Sequence, residues 1–168
     1  MAEETLREEV RRAAETAKAA SMALAQTTGE QRNAALAAMA AALRAHEEDV
    51  LAANGRDMEA ARAEGTKESL LDRLLLDSGR IEAMACALED LALPDPVGVV
   101  QEERTLDNGL RLARVSVPLG VVAMVYEARP NVTADAAGIC VKSGNAAVLR
   151  CGRLAAASSA AIAQVLHD

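Results

Sequence analysis

The chain has 168 residues, of which 51% are hydrophobic and 26% are charged, a balance typical of soluble globular domains. Its 18 basic and 25 acidic residues give a net charge of −7 without a polybasic run, which argues against nucleic-acid binding. The acidic start fits neither a secretory signal nor a presequence, and no stretch reaches the roughly 18 apolar residues of a membrane span. Three cysteines without a CxxC pair indicate reduced thiols, so we expect a cytoplasmic protein.

The first half of the chain carries apolar residues at helical spacing. A first helix is predicted to run to about Gln26. A second helix is predicted to end at Asn54 and Gly55, since both residues tolerate the left-handed conformation that follows many helices. Shorter helices follow, with interruptions predicted at Gly65 and near Ser78.

Two prolines, Pro94 and Pro96, end the helical half and mark a change in periodicity. Residues 99–106 and 110–117 are predicted to form two strands joined by a turn at 107–109. The alternation of apolar residues shifts phase within the second strand, which predicts a β-bulge or a crossing between two sheets.

The last fifty residues predict the order strand, helix, strand, helix. The apolar run 119–126 is typical of a strand covered on both faces, and 146–150 is a second buried strand. Helices are predicted at 131–142 and 153–167. A crossover unit of this kind makes the strands parallel neighbours, and such sheets bind ligands at the carboxyl ends of their strands. Two strands are too few for a complete doubly wound sheet, so an incomplete α/β sheet is predicted.

Residues suited to anion binding follow both predicted strands. Arg129 follows the first strand, and Asn131 begins the next helix, whose exposed amides favour an anion. Arg150 ends the second strand and Gly152 follows it, and a guanidinium at this place would suit an adenosine 2′-phosphate. The alternatives are structural: Asn131 would only cap the helix, and the arginines would only be solvated or ion-paired.

Other reactive residues favour structural roles. Lys142 is a candidate for phosphate or cofactor binding, although a Lys in the last helical turn before Gly144 more often ends a helix. Cys86 and Cys140 are interpreted as small buried hydrophobes, and a nucleophilic role for Cys151 is not favoured. The chain has no GxGxxG or P-loop pattern, and its histidines lack ligand spacing, so no metal site is predicted.

A set of motifs extends over nearly the whole chain: LPDPVG (93–98), NGL (108–110), VPLGV (117–121), YEARPNVT (126–133) and KSGN (142–145), with two further segments at 31–36 and 71–76. Together these motifs resemble one family, the gamma-glutamyl phosphate reductases of the aldehyde dehydrogenase superfamily. The set as a whole is highly specific.

The resemblance implies a division of the chain and an activity. Residues 1–98 would be the helical part of a cofactor domain, 99–117 an oligomerisation hairpin, and 118–168 the start of a Rossmann-like sheet. The implied reaction is the NADPH-dependent reduction of L-glutamyl 5-phosphate to L-glutamate 5-semialdehyde and phosphate in proline biosynthesis, by a homo-oligomer. Nothing in this chain matches the motif of the family's cysteine nucleophile. We therefore expect the amino-terminal part of a longer enzyme, inactive alone.

The resemblance also implies roles for single residues. Asn131 matches an amide that donates to the oxyanion, although this chain has Arg-Pro-Asn where the superfamily has Pro-Trp-Asn. Arg129 would contact the substrate. Arg150 stands where relatives carry a Lys near the ribose, and an Arg there favours NADPH.

Two other interpretations stay open. The chain would be a non-catalytic helical interaction module, or the reductase half of a bifunctional pyrroline-5-carboxylate synthase. Because no kinase domain precedes Met1, the free-standing reductase is preferred.

Overall fold

The computed structural model describes residues 2–167 as five helices, a β-hairpin and one strand–helix–strand–helix unit. The helices are α1 (Ala2–Leu24), α2 (Gly29–Ala45), α3 (Glu47–Ala63), α4 (Glu68–Leu74), α5 (Ser78–Asp90), α6 (Asn131–Lys142) and α7 (Ala156–His167). The strands are β1 (Val100–Thr105), β2 (Arg111–Val115), β3 (Val121–Val125) and β4 (Ala146–Arg150). A 3-10 turn, Arg153–Ala155, precedes α7. This order confirms the predicted α/β class.

The main hydrophobic core joins α2, α5, α6 and α7. Without Trp or Phe, the core consists of aliphatic side chains, and small residues allow the helices to approach closely. Gly138 of α6 marks the closest approach, because a methyl group added there would lie 2.4 Å from Leu88 Cδ2 and 3.0 Å from Leu91 Cδ1. The largest apolar side chains that are fully buried are Leu36, Leu43, Leu74, Ile81, Leu88 and Ile162.

The prediction that the second helix ends at Asn54 and Gly55 is wrong. The break comes earlier, at His46, whose φ of −111° and ψ of 25° separate α2 from α3. Three acidic residues then occupy the first turn of α3, where they complement the positive end of the helix dipole. The helix continues through Asn54 and Gly55 because the Asn54 side chain is used for tertiary hydrogen bonds.

Two buried polar side chains of α3 hold the elements around it. Asn54 Nδ2 donates to the Leu74 carbonyl at 2.8 Å, and Asn54 Oδ1 accepts from the Leu76 amide at 2.8 Å. Asn54 Nδ2 also donates to Ser158 Oγ at 3.0 Å. One turn later, Asp57 accepts from the amide and the hydroxyl of Ser158 at 2.7 and 2.6 Å. These bonds fix the α4–α5 loop and the start of α7 to α3.

The proline-rich boundary segment is anchored to α2. The guanidinium of Arg32 is buried and donates from Nη2 to Asp95 Oδ2 at 2.6 Å. This hydrogen bond holds the pKa of Asp95 below its ordinary value. The segment between the helices and the hairpin is therefore held against α2 by this ion pair.

The predicted hairpin is confirmed, but its irregularity lies in the first strand and not in the second, where the phase shift predicts it. Strands β1 and β2 are antiparallel, with Val100 opposite Val115 and Glu102 opposite Arg114. The register therefore shifts at Gln101, which is the extra residue of a β-bulge. Every residue of both strands is exposed.

The predicted crossover unit is also confirmed. Strands β3 and β4 are parallel, and Val121 pairs with Ala146 while Val125 pairs with Arg150, so the strands begin and end together. Gly144 ends α6 with a φ of 72°, a conformation that glycine adopts at no steric cost.

The prediction that β3 is covered on both faces is wrong. Met124 and Val125 are 42% and 75% exposed. Helix α1 packs on both strands and α6 packs on β4, but β4 is the only strand that pairs with β3 within residues 2–167. The outer edge of β3 therefore faces solvent.

Candidate functional site

The carboxyl ends of β3 and β4 lie side by side, as the sequence predicts. The Tyr126 amide donates to the Arg150 carbonyl at 3.0 Å, which extends the pairing past β3. The segments that follow the strands also touch, because a methyl group added at Gly152 would lie 3.1 Å from Glu127 Cα. Glycine at 152 therefore permits this close approach of two backbones.

Local hydrogen bonds hold the turn between β3 and α6. The hydroxyl oxygens of Tyr126 and Thr133 lie 2.6 Å apart and share a hydrogen bond. The Arg129 amide donates to the Glu127 carbonyl at 2.9 Å, and the Arg129 carbonyl accepts from the Val132 amide at 3.1 Å. The turn thus presents the Arg129 side chain from a fixed backbone.

A cleft of about 360 Å³ opens beside this turn, between the α4–α5 segment and the start of α6. We call it the arginine cleft, after Arg73, Arg80 and Arg129, which line it. Arg73 and Arg129 also border a second cleft of about 180 Å³. The remaining lining residues of the arginine cleft are Asp72, Leu75, Leu76, Ala83, Met84, Asn131 and Asp135.

The three arginines of the cleft differ in how they are engaged. Arg80 donates to Asp72 Oδ1 at 2.9 Å, to the Leu75 carbonyl at 2.7 Å and to the Asp72 carbonyl, so it closes the α4–α5 loop. Within the part of the chain that the structure describes, no hydrogen bond or ion pair involves the guanidinium of Arg73 or Arg129. Two guanidiniums that border the cleft are thus available to a ligand.

Asn131 does not cap α6, so the structural alternative predicted for it is wrong. The capping position belongs to Pro130, and among residues 2–167 no side chain caps the amino end of the helix. Asn131 Nδ2 instead donates to Asp135 Oδ2 at 3.0 Å, one helical turn away. Burial raises the pKa of Asp135 above its ordinary value, because desolvation outweighs the hydrogen bond from Asn131.

This bond orients the Asn131 amide. An ionised carboxylate only accepts hydrogen bonds, so the nitrogen of Asn131 must face Asp135. An amide nitrogen carries two protons, and the bond to Asp135 uses one of them. The second proton is left for another acceptor beside the cleft.

Arg150 lies at the same edge of the sheet but not in the arginine cleft. Its side chain is exposed and is not among the lining residues. Parallel neighbouring strands predict that Arg129, Asn131 and Arg150 border one crevice, since all three lie near the carboxyl ends of the strands. In the structure, only Arg129 and Asn131 line the arginine cleft. Arg150 and Gly152 form a separate part of the edge, where β4 turns into the 3-10 helix.

Lys142 lies at the other end of the unit, because α6 runs back toward the amino ends of the strands. Its ammonium donates to Asn33 Oδ1 at 2.6 Å and to the Leu93 carbonyl, and the residue is only 6% exposed. This geometry favours the structural alternative for Lys142, which joins the end of α6 to α2 and to the boundary segment.

The three cysteines occupy different environments. The prediction that Cys86 is buried is wrong: it is exposed and donates to Glu82 Oε1 at 3.3 Å. It lies two residues after the buried Met84, and two residues turn a helix by about 200°, away from the core. Cys140 is buried as predicted, and desolvation raises the pKa of its thiol. Cys151 is partly buried beyond β4.

Sequence reasoning missed Arg73, Arg80 and Asp135 as residues of the site. The spacing of Asp135, four residues after Asn131, was an available signal because such residues share a helix face. No comparable signal exists for the two arginines, because only the packing of α4 and α5 beside α6 brings them to the cleft.

Among residues 2–167, no helix combines the length and the apolar character needed to cross a bilayer. The same residues contain no group of three or more His, Cys, Asp or Glu side chains placed to hold a metal ion.

Known proteins resemble this chain both in sequence and in fold. No protein-family model matches the chain. A gamma-glutamyl phosphate reductase of Xanthomonas oryzae pv. oryzae is 52% identical over 149 residues, which are 88% of this chain and 36% of that protein. The chain therefore spans little more than a third of the length of that curated relative.

Solved structures agree with the sequence comparison. The gamma-glutamyl phosphate reductase of Thermotoga maritima superposes with a TM-score of 0.91 at 40% identity, over 94% of this chain and 38% of that one. An acetylating aldehyde dehydrogenase of Geobacillus thermoglucosidasius has a TM-score of 0.66 at 21% identity, over 95% of this chain and 32% of that one, and shares the fold. The chain is thus homologous, over most of its own length, to gamma-glutamyl phosphate reductases and has an aldehyde-dehydrogenase-like fold.

Proposed function

We propose that this chain is part of an enzyme that reduces L-glutamyl 5-phosphate with NADPH to L-glutamate 5-semialdehyde and phosphate, in proline biosynthesis. The names of the homologues support the activity. The observation that carries the proposal is the shared carboxyl edge of β3 and β4, where Arg129, Asn131 and Arg150 all lie. Ligands of α/β sheets bind at such edges.

Asn131 is the proposed oxyanion donor. When a nucleophile attacks the acyl carbon, negative charge develops on the acyl oxygen, and a fixed N–H donor stabilises that charge. The bond to Asp135 holds the Asn131 nitrogen in place, and its second proton supplies the donor. Arg129, beside it, would balance the negative charge of the substrate.

The nucleophile is proposed to lie outside this chain. Two of the three thiols lie in environments that do not favour a reactive thiolate: Cys140 is buried, which raises the pKa of its thiol, and Cys86 donates a hydrogen bond to Glu82. The third, Cys151, is partly buried and lies between Arg150 and Gly152, the proposed nucleotide contacts. The purified chain should therefore not catalyse the reaction alone.

Arg150 and Gly152 are the proposed nucleotide contacts. NADPH, when bound, supplies the hydride that reduces the acyl group. Arg150 is exposed at the end of β4, and a guanidinium there fits the 2′-phosphate that distinguishes NADPH from NADH. Gly152 permits the close approach of its backbone to that of Glu127, next to the nucleotide contact proposed for Arg150.

The proposed division is a helical part at 1–98, an oligomerisation hairpin at 99–117 and the start of the Rossmann-like sheet at 118–168, in a cytoplasmic homo-oligomer. The exposure of the hairpin supports its proposed role in oligomerisation, because both strands are exposed throughout and carry apolar side chains such as Val100, Leu112 and Val115. The same exposure favours the second candidate, a non-catalytic interaction module.

Nucleotide titration of the purified chain tests the proposal. NADPH is expected to bind at least about tenfold more tightly than NADH, and Arg150→Ala should remove that difference. Arg153→Ala is the matched control, because Arg153 is also exposed but already pairs with Glu64 at 2.6 Å. Equal affinities in the unaltered chain, or equal losses for both nucleotides in Arg150→Ala, would reject the nucleotide site. Self-association without any response to NADPH would favour the interaction module.

A further inference from the structure

The arginine cleft contains charges that the protein itself does not balance. Arg73 and Arg129 both border it, and neither guanidinium is paired within the described residues. They come from elements far apart in sequence, α4 and the turn after β3, so tertiary packing alone places them beside one space. Like charges around one cleft repel each other until an anion lies between them. The planar fork of each guanidinium matches a carboxylate.

The cleft also contains a carboxylate, that of Asp135, which has no cationic partner among the described residues. Asp135 is partly buried, and the only hydrogen bond that its carboxylate accepts among the described residues comes from Asn131. Arg80, which also lines the cleft, is already committed to Asp72 and to the backbone of the α4–α5 loop. A partly desolvated carboxylate with spare acceptor sites is stabilised by a ligand cation. The cleft therefore suits a ligand that carries both charges.

We propose that the arginine cleft binds the amino-acid end of the substrate: Arg73 and Arg129 take its α-carboxylate, and Asp135 takes its α-ammonium group. The substrate identity rests on the function proposed above. The two charge pairs, by contrast, are inferred from the residues that line the cleft, and they predict that the cleft binds a zwitterion.

The dimensions of the cleft suit a glutamyl chain. Asn131 Nδ2 and Asp135 Oδ2 lie 3.0 Å apart. A ligand atom that is hydrogen-bonded to each of them lies about 3 Å beyond it, so the two ligand atoms can be up to about 9 Å apart. An extended glutamate separates its α-nitrogen from its 5-carbon by about 5 Å. An ammonium group held at Asp135 therefore leaves the acyl carbon within reach of Asn131, and the cleft becomes the site that selects an amino acid over a simple diacid.

Three probes separate the two charges. L-Glutamate carries both, glutarate lacks the ammonium group, and 4-aminobutyrate lacks the α-carboxylate. Calorimetric titration of the purified chain should show L-glutamate binding at least about tenfold more tightly than either probe. Asp135→Asn should bring glutamate down to the affinity of glutarate. Arg73→Gln should weaken glutamate binding toward that of 4-aminobutyrate, because only Arg129 is then left to bind the α-carboxylate.

Matched controls and the NADPH titration decide the outcome. Asp49→Asn and Arg11→Gln remove exposed charges on α3 and α1, away from the cleft, and should leave all three affinities unchanged. Circular dichroism verifies that each variant is folded. Absence of glutamate binding, equal binding of the three probes, or unaltered discrimination in both folded cleft variants would overturn the proposal. If the chain still prefers NADPH to NADH, such a failure would concern the arginine cleft and not the proposed function.

Discussion

Replacing Asn54 with alanine would cut the hydrogen bonds that join the α4–α5 loop to α3. The Leu74 carbonyl and the Leu76 amide would both lose their partner, and both residues are buried. A buried backbone group left unpaired costs about 1–3 kcal/mol, so the free energy of unfolding should fall by about 2–6 kcal/mol. Because that loop carries one wall of the arginine cleft, glutamate binding should weaken as well.

Urea denaturation followed by the helical circular dichroism signal measures this loss, and the melting temperature should fall by about 2–4 °C for each kcal/mol. Gly55→Ala is the neighbouring control. A methyl group there meets nothing within 4 Å, so in the interior of α3 it should raise stability by about 0.5–1 kcal/mol. A change below about 0.5 kcal/mol for Asn54→Ala, which is the size of an ordinary surface substitution, would refute the reasoning. Destabilisation by Gly55→Ala would contradict the continuous helix.

Three further predictions concern Asp135, Lys142 and the open edge of β3. Because the folded-state pKa of Asp135 is raised, its ionisation destabilises the fold as the pH rises through that pKa. At pH 7 the melting temperature of Asp135→Asn should therefore be equal to or higher than that of the parent chain. At acidic pH, where Asp135 is protonated, the two melting temperatures should be the same. A lower melting temperature of the variant at pH 7 would contradict this reasoning. Lys142→Met should lower the free energy of unfolding by about 1–3 kcal/mol and leave the affinity for NADPH unchanged, because the ammonium group of Lys142 bonds to Asn33 and Leu93. A variant with unchanged stability and weaker NADPH binding would instead favour a nucleotide-binding role for Lys142. Leu119 and Val125, 86% and 75% exposed, should make the chain associate, and a stable monomer in light scattering would speak against this.

The order of elements followed from local patterns. Alternation and the turn at 107–109 predicted the hairpin, because side chains in a strand point to opposite faces in turn. The bulge was predicted in the wrong strand: every residue of β1 and β2 is exposed, so the phase of the apolar residues does not report the register. The parallel pairing of β3 with β4 followed from the crossover rule, which needs only the order strand, helix, strand. The placement of Arg129, Asn131 and Arg150 at one edge is a consequence of that pairing.

Features decided by tertiary contacts were not predictable. Asn54 and Gly55 have the composition of a helix end, yet buried partners on α7 and on the loop after α4 keep Asn54 inside α3. The exposure of Cys86, by contrast, could have been predicted: Met84 faces the core, and a residue two positions later in a helix lies on the opposite face. The meeting of Arg73 with Arg129 could not, because α4 and the turn after β3 are more than fifty residues apart.

A graft onto a solved relative tests the proposed function most directly. This chain would replace the homologous segment of the Thermotoga maritima reductase, and phosphate-dependent reduction of NADP by glutamate 5-semialdehyde would be measured. The graft is predicted to be active, and Asn131→Ala within it should lower kcat by about 10²–10³, as expected for loss of one oxyanion donor. A folded graft without activity, or one whose kcat is unchanged by Asn131→Ala, would contradict the account.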